Sequence, residues 1–176
     1  MPLPVFTAET TKTAIIRLVW IASAVIVLDQ VTKAMVLSQL PLYHSVPVLP
    51  GFFNLTHVQN PGGAFGFLAG QSPALRAVVF LAASAMAALL VLYFYMTTPP
   101  THRFLAVGFA LIFSGAIGNL IDRVRFGVVV DFLDFFVGKA HWPAFNVADS
   151  AITVGMTIFA GHLVFRKLPE AHTGGK

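Results

Sequence analysis

Long runs of uncharged, apolar residues alternate along the chain with shorter segments that carry nearly all of its charges. The two clearest runs extend from Arg76 to Met96 and between Arg103 and Asp122. Each approaches the ~20 residues that a helix needs to cross a bilayer. Two weaker runs lie near the start and near the end of the chain. We therefore predict four membrane-spanning helices, at about residues 13-29, 75-96, 104-121 and 147-166.

The first predicted span contains Arg17, whose long side chain can reach the lipid headgroups from a position near the helix end. A cleaved signal peptide is the alternative interpretation of this segment, with the small residues Ala22, Ser23 and Ala24 as its cleavage site. These residues lie inside the apolar run rather than after it. Their position favours an uncleaved membrane anchor.

Two segments between the spans, residues 30-73 and 122-146, are too apolar for ordinary solvated loops. The first is interrupted by Pro47, Pro50 and Gly51, and its short apolar stretches are typical of β-strands. We predict that both segments lie on one outer face of the membrane and form a small platform there. Residues 168-176 are predicted to be a flexible tail.

The composition supports a single integral membrane domain of 176 residues. Hydrophobic residues make up 57% of the chain and charged residues only 10%, which excludes an ordinary soluble domain. The 11 basic residues are scattered, so a nucleic-acid partner is not expected, and their distribution favours both termini in the cytoplasm. The absence of cysteine excludes disulfides and cysteine nucleophiles.

Five of the seven acidic residues map to the outer side of the predicted topology. They are Asp29, Asp122, Asp131, Asp134 and Asp149. Ionisable groups at the edge of lipid are costly. Each one alone fits a helix cap or a paired surface charge, but five together in so uncharged a chain point to chemistry.

Asp131 and Asp149 form the most informative pair. The loop that carries Asp131 returns to the membrane where the last span begins with Asp149 in its first turn. Two neighbouring carboxylates share a proton, which is the arrangement of aspartic proteases. The structural alternative is that Asn146 caps this helix and Asp149 interacts with its dipole. Asp134 is interpreted as a solvated loop charge.

Three other classes of protein remain open from the residues alone. A small proton-coupled transporter or channel would place acids near the bilayer midplane and often contains inverted repeats, which this chain lacks. A structural membrane adaptor would leave the aspartate pair unexplained. A metal-dependent hydrolase would need further ligands, and His57 and His141 have no companions at metal-binding spacing.

Five motifs follow one another along the chain: LDQVTK (28–33), NPGGAF (60–65), GNLIDR (118–123), VVDF (129–132) and FNVADS (145–150). In this order and spacing they resemble the bacterial lipoprotein signal peptidases, or type II signal peptidases. The resemblance covers about residues 14 to 166. One departure is Pro61, where the family often has threonine, and it bears on the stiffness of that loop.

The resemblance implies an inner-membrane aspartic endopeptidase without a cofactor. Its catalytic aspartates fall on Asp131 and Asp149, and the polar residues that bind substrate or orient the pair fall on Asp29, Asn60, Asn119, Asp122, Arg123 and Asn146. From the residues alone, the asparagines also suit helix capping, and Arg123 suits either an ion pair with Asp122 or a role in holding the loop near the pair.

The resemblance also implies the fold and the partners. The expected fold is that of an all-α membrane protein, with four transmembrane helices, a small periplasmic β-sheet cradle and a short membrane-surface helix. The enzyme would act as a monomer at the outer membrane face on diacylglyceryl-prolipoproteins, cleaving on the N-terminal side of the lipidated cysteine. Globomycin- and myxovirescin-type antibiotics would block it by occupying the aspartates.

Overall fold

The computed structural model describes residues 8–62 and 70–166. This part of the chain contains four long helices and one four-stranded antiparallel sheet. All four helices are long and apolar enough to cross a membrane, which confirms the predicted combination of spans and sheet. The order is α1 (Ala8–Gln39), β1 (Ser45–Leu49), β2 (Phe53–Asn60), α2 (Pro73–Thr97), α3 (Arg103–Phe126), β3 (Val129–Val137), β4 (Ala140–His141) and α4 (Val147–Arg166).

Local sequence signals set several helix ends. Ser72 caps α2 by accepting a hydrogen bond from the Leu75 N–H at 3.3 Å, and proline occupies the first helical position, where its missing N–H costs nothing. α3 ends at Gly127, which adopts a left-handed conformation with φ of 73°. Glycine is the residue that takes up this conformation without steric cost. The chain can therefore leave α3 at once and enter β3.

α1 is longer than the predicted first span of residues 13-29, because it continues to Gln39. The prediction ended the first span at Asp29, but Asp29 and Lys33 both lie within α1 and form an ion pair of 2.9 Å. α3 likewise continues past residue 121. The outer segments 30-73 and 122-146 therefore begin as the last turns of helices. Where lipid begins along each helix, and the single-domain description, stay predictions.

α3 is the central helix of the bundle and packs against the other three. Its contact with α4 is close, since a Cβ atom added to Gly155 would lie only 2.5 Å from the carbonyl oxygen of Gly108. The interior near the start of α3 is apolar and contains Tyr95, Phe109 and Ile112. The far end of the same helix instead places Asn119 and Asp122 in buried positions.

The sheet has the strand order β1-β2-β3-β4 and lies at the end of the bundle where α4 begins. Val36 of α1 packs against Val130 and Phe132 of β3, which fixes the sheet to the helices. In the β2–β3 register, Asp131 lies opposite Val58, next to a bulge between Leu55 and Val58. This arrangement brings the middle of β3 next to the first turn of α4.

Two expectations about the fold stay predictions. Within residues 8–62 and 70–166, every helical residue belongs to α1–α4, so the expected short membrane-surface helix stays a prediction, and residues 63–69 are not described. The same holds for the flexible tail at residues 168-176.

Candidate active site

Asp131 and Asp149 lie at one site, although 18 positions separate them in the sequence. Asp131 is on β3, and Asp149 is in the first turn of α4. The side-chain amide of Asn146 donates to Asp131 Oδ1 over 2.7 Å, and its backbone N–H donates to Asp149 Oδ2 over 3.2 Å. The two carboxylates are thus held by a single residue.

Asn146 also caps α4. Its side-chain oxygen accepts a hydrogen bond of 2.9 Å from the Asp149 N–H, while Asp149 accepts from the Asn146 N–H. This reciprocal pair has the geometry of a capping box. The residue is fully buried, and its amide also contacts the carbonyl oxygen of Val130 at 3.2 Å. Capping and orientation of the carboxylates are therefore combined in Asn146.

Asn60 and Asn119 supply one further hydrogen bond to each carboxylate. The amide of Asn60 donates to Asp131 Oδ2 over 3.0 Å, and the amide of Asn119 donates to Asp149 Oδ1 over 2.8 Å. Asn60 is itself held by the N–H of Gly62, which donates to its Oδ1 at 2.9 Å. Each aspartate therefore accepts two hydrogen bonds, which fix the planes of both carboxylates. Gly63, Ala64 and Phe65 of the same motif lie outside the described residues.

A buried charge cluster supports this site from α1 and α3. Lys33 Nζ lies 2.9 Å from Asp29 Oδ2 and 2.9 Å from Asp122 Oδ2, and all three side chains are almost completely buried. Lys33 also donates to Asn119 Oδ1 over 3.0 Å. Since Asn119 binds Asp149, the lysine is one hydrogen-bonded residue away from the candidate dyad.

The two acids of this cluster also bind the backbone of the elements that carry the dyad. Asp122 Oδ2 accepts from the Val130 N–H at 3.1 Å, and Asp29 Oδ1 accepts from the Ala148 N–H at 2.9 Å. Val130 precedes Asp131, and Ala148 precedes Asp149. Asp29 and Asp122 therefore orient the two catalytic candidates through their neighbours in sequence.

Lys33 and Gln30 are site residues that the sequence did not predict. Gln30 donates to Asp29 and to Asp122, each over 3.1 Å. A signal was present, since Asp29 and Lys33 are four positions apart, the spacing at which opposite charges meet on a helix. The prediction missed it because it ended the first span at Asp29.

Burial dominates the electrostatics of Asp131. Desolvation, followed by the nearby charge of Asp149, raises the pKa of Asp131 to about 7. Hydrogen bonds from Asn60 and Asn146 and the charge of Lys33 act in the opposite direction but do not offset the burial. At neutral pH the protonated and ionised forms of Asp131 are therefore both populated, and the pair can hold one proton.

Arg123 is half-buried at the end of α3, with Nη1 donating to the backbone oxygen of Asn119 over 3.4 Å. It interacts electrostatically with Asp149 and Asp131. In the described part of the chain it forms no ion pair with Asp122, which contacts Lys33 instead. The arginine therefore contributes positive charge beside the carboxylates, and the ion-pair interpretation of the sequence is not the arrangement found.

Asp134 is not the solvated loop charge that the sequence suggested. It lies on β3 and is buried, accepts from the Asn54 amide at 3.2 Å, and lies 2.8 Å from His141 Nδ1. These contacts join three strands of the sheet and do not involve the candidate dyad. In residues 8–62 and 70–166, no three acidic or histidine side chains converge as a metal site would require.

Comparison with known proteins identifies relatives that match most of the chain. Residues 21–165 match the family model described as signal peptidase (SPase) II. A lipoprotein signal peptidase of Desulforapulum autotrophicum is 57% identical over 157 residues, which cover 89% of this chain and 97% of that protein. A lipoprotein signal peptidase of Syntrophus aciditrophicus is 47% identical over 135 residues, covering 77% and 84%.

Two solved structures described as bacterial membrane enzymes have a similar fold. One superposes with a TM-score of 0.77 at 31% identity and covers 91% of this chain and 94% of its own. The other has a TM-score of 0.73 at 30% identity, with coverages of 93% and 98%. The likeness therefore extends to nearly the full length of both chains.

Proposed function

Because the chain belongs to the signal peptidase II family, we propose that Asp131 and Asp149 are the catalytic dyad with which it cleaves its substrates. Members of this family are proteases, and this chain is a multi-pass bacterial membrane protease that removes signal peptides from prolipoproteins. We also propose that the dyad lies at the outer face of the membrane and both termini in the cytoplasm.

The main support for the dyad is that Asn146 donates a hydrogen bond to each of the two carboxylates. The pKa of one of them, Asp131, is also raised. In the proposed reaction, ionised Asp149 accepts a proton from water as the water oxygen attacks the scissile carbonyl carbon. Protonated Asp131 donates a hydrogen bond to the carbonyl oxygen and stabilises its developing charge. The C–N bond then breaks, and a proton passes from the dyad to the leaving amine.

The proposed substrate-binding residues are the polar side chains around the dyad. Asn60 and Asn119 have amides that can both donate and accept hydrogen bonds, which suits an extended peptide backbone. Asn146 and the Asp29–Lys33–Asp122 cluster hold the carboxylates in place. Arg123 supplies positive charge beside them. Inhibitors of the globomycin and myxovirescin type would bind at the same carboxylates.

We further propose that the cleaved bond is the one before a diacylglyceryl-modified cysteine. The dyad lies where the helix bundle meets the sheet, and the outermost strand β1 is exposed along its whole length. Its exposed Val46, Val48 and Leu49 suit contact with lipid rather than water. A substrate anchored in the bilayer by its own acyl chains would reach the dyad from this surface.

The test uses the purified protein in detergent with a diacylglyceryl-modified prolipoprotein. Asp131→Asn and Asp149→Asn should each lower cleavage by at least about a hundredfold, since acid-base groups contribute roughly 10²–10⁴-fold. Asp134→Asn is the matched control, because it removes one buried carboxylate from the same strand outside the dyad. Near wild-type cleavage by either dyad variant would contradict the proposal.

Two further arms of this experiment address the alternatives. Cleavage that survives exhaustive chelation would exclude the metal-dependent hydrolase, whereas its loss would favour that class over a dyad. Omission of the diacylglyceryl group should abolish turnover if the site accepts substrate from the bilayer. Family membership gives no support to the transporter or adaptor interpretations of the sequence.

A further inference from the structure

A cavity with both polar and apolar walls lies at the end of the bundle opposite to the dyad. It is bordered by the first turns of α1, the last turns of α2 and the start of α3, and its volume is about 820 Å³. Small-molecule sites have volumes of roughly 300–1,000 Å³. Arg17, in its wall, precedes Asp29 by twelve positions, which corresponds to about 18 Å along the helix. The cavity is therefore separate from the proposed active site.

Two arginines line this cavity, and one of them is held in place by a buried tyrosine. Arg17 Nε donates to the Tyr95 hydroxyl over 3.2 Å, and the guanidinium carbon lies 5.7 Å from the centre of the tyrosine ring. Tyr95 in turn donates to the backbone oxygen of Ala14 over 2.6 Å. The arginine is thus pre-positioned from one side by contacts that do not neutralise its charge.

The positive charge of the cavity has little compensation. Within residues 8–62 and 70–166, neither Arg17 nor Arg103 forms an ion pair with a carboxylate. Glu9 is the acidic residue in the described wall, so the two guanidinium groups leave a net positive charge. α3 also begins at this end of the bundle. The N-terminal end of a helix adds further positive potential.

Apolar side chains complete the wall of the cavity. Met96 and Val107 line it together with Ala14. A small inorganic anion would need no such surface, whereas a glycerol backbone or the first methylene groups of an acyl chain would contact it favourably. The position at the ends of membrane-spanning helices is also where lipid headgroups lie.

We propose that this cavity binds a phosphoryl group, with the planar fork of Arg17 contacting two of its oxygens and Arg103 supplying the second cation. Guanidinium groups bind phosphate in this bidentate way. The combination of a cationic centre with an apolar wall favours the headgroup of an anionic phospholipid from the leaflet next to the chain termini. Free inorganic phosphate has the same chemistry and is the other source.

The test is native mass spectrometry of the full chain in detergent, titrated with phosphatidylglycerol. Arg17→Gln and Arg103→Gln should each weaken the binding of one lipid molecule, Arg17→Gln by about tenfold or more, because a charge-assisted hydrogen bond contributes roughly 1.5–3 kcal/mol. Lys12→Gln is the matched control, since it removes one positive charge from the same end of α1 without lining the cavity. Equal weakening in Lys12→Gln would overturn the site.

Three further arms identify the ligand and guard against misfolding. Diacylglycerol with the same acyl chains should bind much more weakly, and equal binding would overturn the phosphoryl assignment. Competition by millimolar inorganic phosphate would support the phosphoryl site and assign free phosphate as its source, whereas an absence of competition supports the lipid. Arg17→Lys, which keeps the charge and loses the fork, should show intermediate affinity with an unchanged thermal midpoint; wild-type affinity would contradict the role of the fork.

Discussion

At Asp131, the burial that raises the pKa of the side chain also couples its protonation to folding. The folded protein retains this proton up to a pH of about 7, whereas an unfolded chain releases it near a pH of about 4. Between these values the folded state holds more protons than the unfolded state. Asp131 therefore lowers the free energy of unfolding as the pH rises through this interval.

This coupling predicts different pH dependences for the wild type and Asp131→Asn. The thermal midpoint of the wild type should decrease as the pH is raised from 5 to 8. That of Asp131→Asn should decrease less, since the variant lacks the titrating group. Wild-type cleavage should also decline above a pH of about 7, where Asp131 loses the proton that it donates to the carbonyl oxygen. Thermal scans and initial rates at several pH values measure both effects. Identical pH slopes of the thermal midpoint in the two proteins would contradict the raised pKa.

Asn146 combines two functions that substitution can separate. Asn146→Ala should lower the free energy of unfolding by about 1 kcal/mol through loss of the cap, and it should reduce cleavage by at least about a hundredfold through misorientation of the carboxylates. Asn146→Ser keeps an oxygen that can cap α4 but loses the amide that contacts Asp131. The serine variant should therefore be as inactive as the alanine variant while keeping most of the stability. Thermal midpoints and cleavage rates measured together decide this, and an active serine variant would leave capping as the residue's main role.

At the scale of elements, the packing of α3 against α4 depends on small residues. A Cβ atom at Gly155 would lie 2.5 Å from the backbone oxygen of Gly108, whereas a Cβ atom at Gly161 of the same helix would meet nothing within 4 Å. Backbone cannot move aside as a flexible side chain does. α4 would have to shift away from α3 to make room at Gly155, and Asp149 moves with α4.

Gly155→Ala should therefore destabilise the protein by roughly 1–3 kcal/mol, as overpacking generally does, and should also reduce cleavage. Gly161→Ala makes the same chemical change on the same helix and should leave both properties close to wild type, because the added methyl group enters open space. Thermal midpoints and cleavage rates of the two variants are the comparison. Equal behaviour of the two alanine variants would show that close approach at Gly155 does not limit the packing.

The helix ends show where a local reading of the sequence succeeds and where it fails. The four predicted helices are confirmed. They could be predicted because the preference of each apolar run for lipid depends only on the residues within that run. α1 continues past residue 29, the predicted end of the first span, because the charges of Asp29 and Lys33 do not face water. Lys33 and Asp29 neutralise one another inside the bundle with help from Asp122, which comes from a distant part of the chain. No local pattern contains that third partner.

For the molecule as a whole, four membrane crossings would place both chain termini on the same side of the membrane. The basic residues at that end favour the cytoplasm, so the dyad and the sheet would face the outside. The absence of native cysteine makes this orientation directly testable by single-cysteine labelling. Ser45 in β1 and Thr101 in the short α2–α3 link are both exposed and mark the two ends of the bundle.

In intact cells whose inner membrane is accessible, Ser45→Cys should react with a membrane-impermeant maleimide, and Thr101→Cys should react only after the membrane is permeabilised. The physical reason is that a charged reagent does not cross the bilayer. Gel-shift labelling measures the reaction, and retained cleavage activity shows that each variant is folded. The reverse labelling pattern would contradict the proposed orientation.

Hydropathy along the chain was enough to predict a membrane protein with four apolar helices. The scarcity of acidic residues and the order of the motifs were enough to draw attention to Asp131 and Asp149. Hydropathy and charge can be read locally, since each run of residues carries its own preference for lipid or water. The folded structure was needed to show that Asn146 contacts both carboxylates, that Lys33 is buried between two acids, and that Asp134 belongs to the sheet. Those features depend on distances between residues far apart in sequence, and these distances exist only once α1, α3, α4 and the sheet have packed together.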